Sequence, residues 1–151
     1  MSTETSDYLL DTNACIAIRE LIKGRIPNDP QRADKLARLK ARWTAIPKER
    51  LFMSIISWGE LRYGAEKSQN PTAASVHLAK VRQTLQILHM DDSTGEHYGA
   101  IRSHLEQKGQ TIGPNDLWIA AHGRSKNCKV VTNNMGEFGR VPQLQCEDWT
   151  A

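Results

Sequence analysis

No stretch of these 151 residues stays apolar over the roughly 20 positions that a membrane-crossing helix needs, and none opens basic and continues apolar like a secretion signal. A membrane-spanning helix is thereby excluded, and a soluble cytoplasmic protein is expected. Cysteine is scarce. Cys15, Cys128 and Cys146 are odd in number and fall in no metal-ligand spacing, which points to free thiols in a reducing compartment. Histidine provides no transition-metal site either. His77, His89, His97, His104 and His122 are scattered, and His97 and His104, on one expected helix, lie seven residues apart. Internal repeats and low-complexity tracts are absent. A dominant charge is lacking too: 20 Lys+Arg face 17 Asp+Glu, and the net +3 is compatible with a polyanionic partner without demanding one.

What is present is a chain of ordinary single-domain size, 39% hydrophobic, so one compact domain over residues 1–151 is expected. Tyr8-Leu9-Leu10 reads as a brief strand feeding a helix capped by Thr12 or Asn13 and running to Gly24. After the break at Pro27-Asn28-Asp29-Pro30, a basic helix with a narrow apolar stripe fits Gln31 to Trp43. Leu51 to Ile55 reads as a second strand, followed by a helix capped at Ser57. A helix over Thr72–Leu85 and a strand over Leu85–Met90 follow. A further helix, capped by Asp92 or Ser93, ends at Gly109. Gly113-Pro114-Asn115-Asp116 opens the next helix, Cys128–Thr132 is a fourth strand, and Leu144–Cys146 is a candidate fifth. Strands alternating with helices predict an α/β fold with a mainly parallel central sheet flanked by helices. In such sheets ligands bind beyond the carboxyl ends of the strands, where this chain places Asp11, Glu60, Asp116 and Asn134.

Each acid has a structural explanation of its own. Asp11 could cap a helix, Glu60 could complete a capping box with Ser57, and Asp116 could favour the positive end of a helix dipole. Together they say more, because carboxylates converging on one sheet edge repel one another and resist desolvation unless a cation neutralises them. A hard cation with oxygen ligands, Mg²⁺ or in its place Mn²⁺, is the natural partner.

Four segments carry a specific resemblance: Leu10-Asp11-Thr12-Asn13, Glu60-Leu61-Arg62-Tyr63-Gly64-Ala65-Glu66, Ile112 to His122, and Val131-Thr132-Asn133-Asn134. Their order and spacing resemble the PIN-domain ribonucleases, above all the VapC toxins of bacterial toxin-antitoxin pairs. Glu137-Phe138, Arg140-Val141-Pro142 and Glu147-Asp148-Trp149 extend the match over nearly the whole chain. The resemblance implies a PIN-like fold, Mg²⁺-dependent cleavage of RNA, and a small VapB-like antitoxin whose helix lies in an apolar groove between the early helices. It also implies a homodimer and structured RNA, such as the anticodon region of a transfer RNA, as substrate. By position, Asp11 and Asp116 match the principal metal-binding aspartates and Glu60 the glutamate of the site. Many relatives carry Asp where this chain has Asn134, whose amide can hold a water or ligate through oxygen but brings no charge. Glu137 is the neighbouring carboxylate that could compensate.

RNA engagement needs positive charge around the acids. Between Gln31 and Arg50 seven basic residues, among them Arg32, Lys35, Arg38 and Arg42, face two acids, Asp34 and Glu49. That segment is the leading RNA contact, or else a solvated helix face. Arg19, Lys23 and Arg25 are alternative contacts. Thr12, Asn13, Asn115 and Thr132 are candidates for orienting carboxylate or phosphate, with strand-end capping as the alternative. Trp58 and Trp118 read as core residues, and Trp43 fits either packing or stacking. Three other functions stand beside the ribonuclease: a phosphatase using Asp11 as nucleophile, a non-catalytic binding module and a DNA nuclease. The first commonly wants a second acid where Asn13 stands.

Overall fold

The computed structural model describes residues 6–151. Five short strands form one parallel sheet: β1 (Tyr8–Leu10), β2 (Leu51–Ser54), β3 (Gln86–Leu88), β4 (Lys129–Val131) and β5 (Cys146–Glu147), in the order β3-β2-β1-β4-β5. The helices are α1 (Thr12–Ile22), α2 (Pro30–Thr44), α3 (Ile55–Glu66), α4 (Pro71–Thr84), α5 (Asp92–Gln107), α6 (Pro114–Ser125) and the short α7 (Met135–Phe138). The α/β reading is thus borne out. No helix among the described residues is long and apolar enough to cross a membrane.

Strand side chains alternate between the two faces, and the alternation sorts the core. Leu10, aligned with Met53 and Val131, packs with α1 to α4, whereas Leu9, aligned with Phe52 and Val130, packs with α5 and α6. Because both faces are covered, Leu9-Leu10, Leu51-Phe52-Met53 and Val130-Val131 are continuous apolar runs rather than alternating with polar residues. Gly123 brings α6 down onto the sheet: a Cβ there would stand 2.6 Å from Val130 Cγ2.

β1 lies at the centre, and the chain order reverses on either side of it. The next two strands add on one side and the last two on the other. Such a reversal opens a crevice at the carboxyl ends of neighbouring strands. Here Asp11 follows β1 directly and Thr132 follows β4.

Several helix starts differ from those expected. Asp11 itself, not Thr12 or Asn13, caps α1, its Oδ1 accepting from Ala14 N at 2.8 Å. Helix α3 begins earlier than expected, at Ile55, because Ser54 Oγ already accepts from Ile56 N at 3.1 Å. Ser57 therefore lies inside the helix and forms no capping box with Glu60. Helix α5 is capped by Asp91, with Thr94 completing the box, rather than by Asp92 or Ser93. Strand β5 starts two residues later than expected, and α7 was not anticipated. Trp43 packs into the core against the sheet.

The close α6–β4 approach makes a direct prediction. Gly123→Ala should cost about 1–3 kcal/mol by overpacking. Urea unfolding should find part of that loss recovered when Val130→Ala removes the opposing methyl.

Candidate active site

The crevice collects carboxyl groups. Asp11 is 2% exposed, and burial raises its pKa above the ordinary carboxylate range, only partly offset by the Thr132 hydroxyl and the Ala14 amide. Asp148, from the segment after β5, adds like charge that pushes it in the same direction. Asp116, in the first turn of α6, has its pKa pushed up to about 7. Burial is the main cause, followed by a hydrogen bond and charge repulsion from Glu137 and by the charge of Asp11. Asp116 therefore holds its proton more tightly than an ordinary carboxyl, beside the charges of Glu137 and Asp11.

Asn134 is reached from the other side. Its backbone N donates to Thr132 Oγ1 at 2.9 Å and its Nδ2 to Glu137 Oε2 at 3.0 Å. Asn134 thus orients a glutamate one helical turn on. Glu137 was legible only as a nearby acid, because nothing in the sequence signals that α7 turns it back towards Asp116.

Glu60 stands further out, exposed on α3, where its Oε1 accepts from Asn115 Nδ2 at 3.0 Å. Asn115 thereby ties Glu60 to the residue next to Asp116. Thr12 Oγ1 lies 2.9 Å from Ser57 Oγ, joining the first turns of α1 and α3. A buried bridge supports the same two helices that carry Glu60 and Asp116. His122 is fully buried on α6; its Nε2 lies 3.1 Å from the His89 carbonyl and its Nδ1 2.9 Å from Ser54 Oγ. A carbonyl only accepts, so Nε2 carries the proton, and burial keeps the ring neutral by lowering its pKa. Ser54, which caps α3, then donates to Nδ1.

Among the described residues, no three His, Cys, Asp or Glu side chains gather closely enough to enclose a metal ion. This arrangement fits Mg²⁺, which keeps several waters and is held through one or two carboxylates together with substrate phosphates. The raised pKa of Asp116 marks a place where a cation would relieve the repulsion from Glu137 and Asp11. The three thiols are free, as expected, and burial raises each pKa.

The basic helix α2 divides into two parts. Arg38 donates to the Thr150 carbonyl at 2.9 Å, and Arg42 binds Glu147 at 2.9 Å while lying 5.5 Å from the centre of the Trp149 ring. Both hold the C-terminal segment, because Glu147 also accepts from Trp149 Nε1 and pairs with Lys129. Arg32 and Lys35 instead line a cleft of about 670 Å³ between α1 and α2. It runs from Asn13, Thr132 and Asp148 beside the crevice to Arg25 and Ile26, over a floor of Ile16, Ala17, Leu36 and Leu39.

The PIN domain family model matches residues 8–144. The chain belongs to the PIN-domain family. Within it the chain stands with the VapC ribonucleases. It is 36% identical over 143 residues to ribonuclease VapC1 of Haemophilus influenzae, covering 95% of this chain and 98% of that protein. It is also 36% identical over 142 residues to the tRNA(fMet)-specific endonuclease VapC of Salmonella typhimurium, covering 94% and 97%. Among solved structures, DNA-bound VapBC from Salmonella typhimurium superposes with a TM-score of 0.79 at 35% identity, over 96% of this chain and 99% of that one. FitAcB from Neisseria gonorrhoeae gives 0.75 at 25% identity, over 94% and 97%. The PIN fold of this chain is accordingly a parallel sheet flanked by helices, with Asp11 directly after β1 and Thr132 directly after β4.

The raised pKa of Asp116 has a consequence for stability. The folded form holds a proton that the unfolded chain releases near 3.8, so stability is lost as pH rises from that value through about 7. Asp11 acts in the same direction. Thermal melts of metal-free protein between about pH 5 and about pH 8 should fall more steeply for the wild type than for Asp116→Asn. At the upper pH the variant should be the more stable, by about a few degrees.

Proposed function

We propose that this chain is an Mg²⁺-dependent endoribonuclease, with Mn²⁺ as a substitute, and the toxin of a cytoplasmic toxin-antitoxin pair. Its substrate is structured RNA, the anticodon region of a transfer RNA foremost, and cleavage there inhibits translation. One domain over residues 1–151 carries the activity. The observation behind this reading is the gathering of Asp11, Asp116 and Glu137 in the crevice of a PIN fold, where burial and the charges of Glu137 and Asp11 raise the pKa of Asp116. The substrate follows the Salmonella relative, whose name specifies tRNA(fMet).

In this reading Asp11 and Asp116 hold the metal, with Glu137 and Glu60 completing the negative charge. A bound divalent ion supplies Lewis acidity that offsets charge on the phosphoryl oxygens and makes an attacking water more acidic. Asn134 acts through Glu137, turning its carboxyl towards Asp116. Asn115 holds Glu60, and Thr132 steadies Asp11. Asn13, at the mouth of the cleft, is placed to meet the substrate backbone.

The α1–α2 cleft is the proposed seat of the antitoxin. Its apolar floor suits one face of an amphipathic helix, and Arg25, Arg32 and Lys35 suit acidic side chains beside it. Arg32 and Lys35 are also the cations of α2 best placed for RNA, so an antitoxin seated there covers both cleft and crevice. A homodimer completes the assembly, as light scattering of the free toxin would report.

Purified toxin freed of antitoxin should cleave structured RNA in Mg²⁺, lose the activity on chelation and regain it with Mg²⁺ or Mn²⁺. DNA and a phosphomonoester serve as controls. Asp11→Asn and Asp116→Asn should each lower kcat by about a hundredfold or more. RNA cleavage that survives both substitutions, or that needs no metal, overturns the reading.

A separate prediction concerns the cleft. Ile26, 73% exposed at its rim, is far from the carboxyls in role. Ile26→Asp should weaken antitoxin binding by about tenfold or more while RNA cleavage persists, measured by calorimetric titration beside the cleavage assay.

A further inference from the structure

Tyr63 and Lys67, on the outward face of α3, serve neither the core nor the carboxyl crevice. At 3.6 residues per turn, Ile56, Gly59, Glu60, Tyr63 and Lys67 share one side of this helix. Leu61 and Ala65, on the opposite side, are its buried contacts. Tyr63 is 59% exposed, and the Lys67 ammonium lies 4.9 Å from the centre of its ring.

The residues beside Tyr63 leave room. A Cβ at Gly59 would meet nothing within 4 Å, so no neighbour in the chain demands a glycine, although glycine is a poor helix former. A Cβ at Gly64 would meet only the Arg19 guanidinium, at 3.4 Å. The ring thus stands between two residues without side chains, with Glu60, Glu66 and Lys67 as its helical neighbours. These charged groups and bare backbone give a protein partner little apolar surface to cover, whereas an aromatic face with an adjacent cation suits a nucleotide.

Position along the helix sets the register. Tyr63 lies about 4.5 Å and Lys67 about 10 Å along the axis from Glu60, given a rise of about 1.5 Å per residue. Both are therefore within reach of a nucleotide next to one whose phosphate stands at the carboxyl crevice.

We propose that Tyr63 and Lys67 form a nucleotide subsite of the ribonuclease. An unpaired base flanking the scissile phosphate stacks on the Tyr63 ring, and Lys67 moves on its flexible stem from the ring to that nucleotide's phosphate. The subsite rests on the ribonuclease reading above and adds where the RNA lies. It favours RNA whose bases are splayed out of a helix, as in a loop, because a paired base offers no free face to Tyr63.

The test uses the full-length Asp116→Asn protein in Mg²⁺, with fluorescence anisotropy of a short unstructured RNA and of an anticodon stem-loop. Tyr63→Ala should weaken binding of both by about tenfold or more, and Tyr63→Phe and Tyr63→Trp should retain it. Lys67→Gln should lower the slope of log affinity against log salt by about one. In the cleaving enzyme, Tyr63→Ala should raise KM with kcat changed by less than about twofold. Unchanged affinity in Tyr63→Ala, failure of Tyr63→Phe to retain binding, or a loss of affinity that tracks a lower mass in light scattering overturns the subsite. If the wild type leaves the stem-loop uncut while Tyr63→Ala still weakens binding of the unstructured RNA, the transfer-RNA reading fails and the subsite stands.

Discussion

Like charges brought out of water govern this molecule. Asp11, Asp116 and Glu137 come from three separate segments, and each would be easier to accommodate alone. The sheet order forces them together, because β1 ends at the point where chain order reverses, and Asp11 is the next residue. Asp11 also caps α1 through Ala14. The same carboxyl that starts a helix thus belongs to the acidic crevice, and one lone pair is committed to the backbone while the rest of the group faces its neighbours.

Such a site holds its form only if the supporting helices are pinned. The pins lie in polar contacts below and beside the carboxyls. His122 and Ser54 join α6 to the start of α3, Asn115 joins Glu60 to the first turn of α6, and Thr12 and Ser57 join α1 to α3. The His122 bridge is buried and uses both ring nitrogens, so removing one partner leaves a polar group unsatisfied in the core, a loss of about 1–3 kcal/mol. Three helices whose N-termini converge on the crevice are therefore fixed relative to one another before any cation or substrate arrives.

The strands and most helices were legible because the apolar runs at Tyr8–Leu10, Leu51–Ser54 and Lys129–Val131 are bounded by polar or turn residues. Helix starts were harder, since Asp11, Ser54 and Asp91 each stand beside another residue able to cap. At Ser54 the earlier hydroxyl won, because a strand followed directly by a helix needs its cap at the junction. In the site, Asp11 and Asp116 were readable from position in the fold, but the partnership of Asp116 with Glu137 depends on the short helix α7, which four residues cannot announce. The two parts of the basic run of α2 were illegible for a different reason. Periodicity tells which side chains face away from the core, not what else folds back against them, and Arg38 and Arg42 meet the C-terminal segment more than 100 residues on.

That C-terminal contact changes the electrostatics of the whole edge. Burial opposes ionisation of Glu147, yet Trp149, Lys129 and Arg42 together hold its pKa below the usual range, so it remains charged and neutralises two cations that would otherwise face solvent. Other positive charge stays unpaired among the described residues, including Arg32 and Lys35 beside the cleft and Lys67 over Tyr63. The cleft adjoins the acidic crevice, and Tyr63 stands one helical turn from Glu60. A strand of phosphates drawn in by these cations would be carried across the carboxyls rather than held away from them, and a divalent cation is what lets two sets of negative groups meet there.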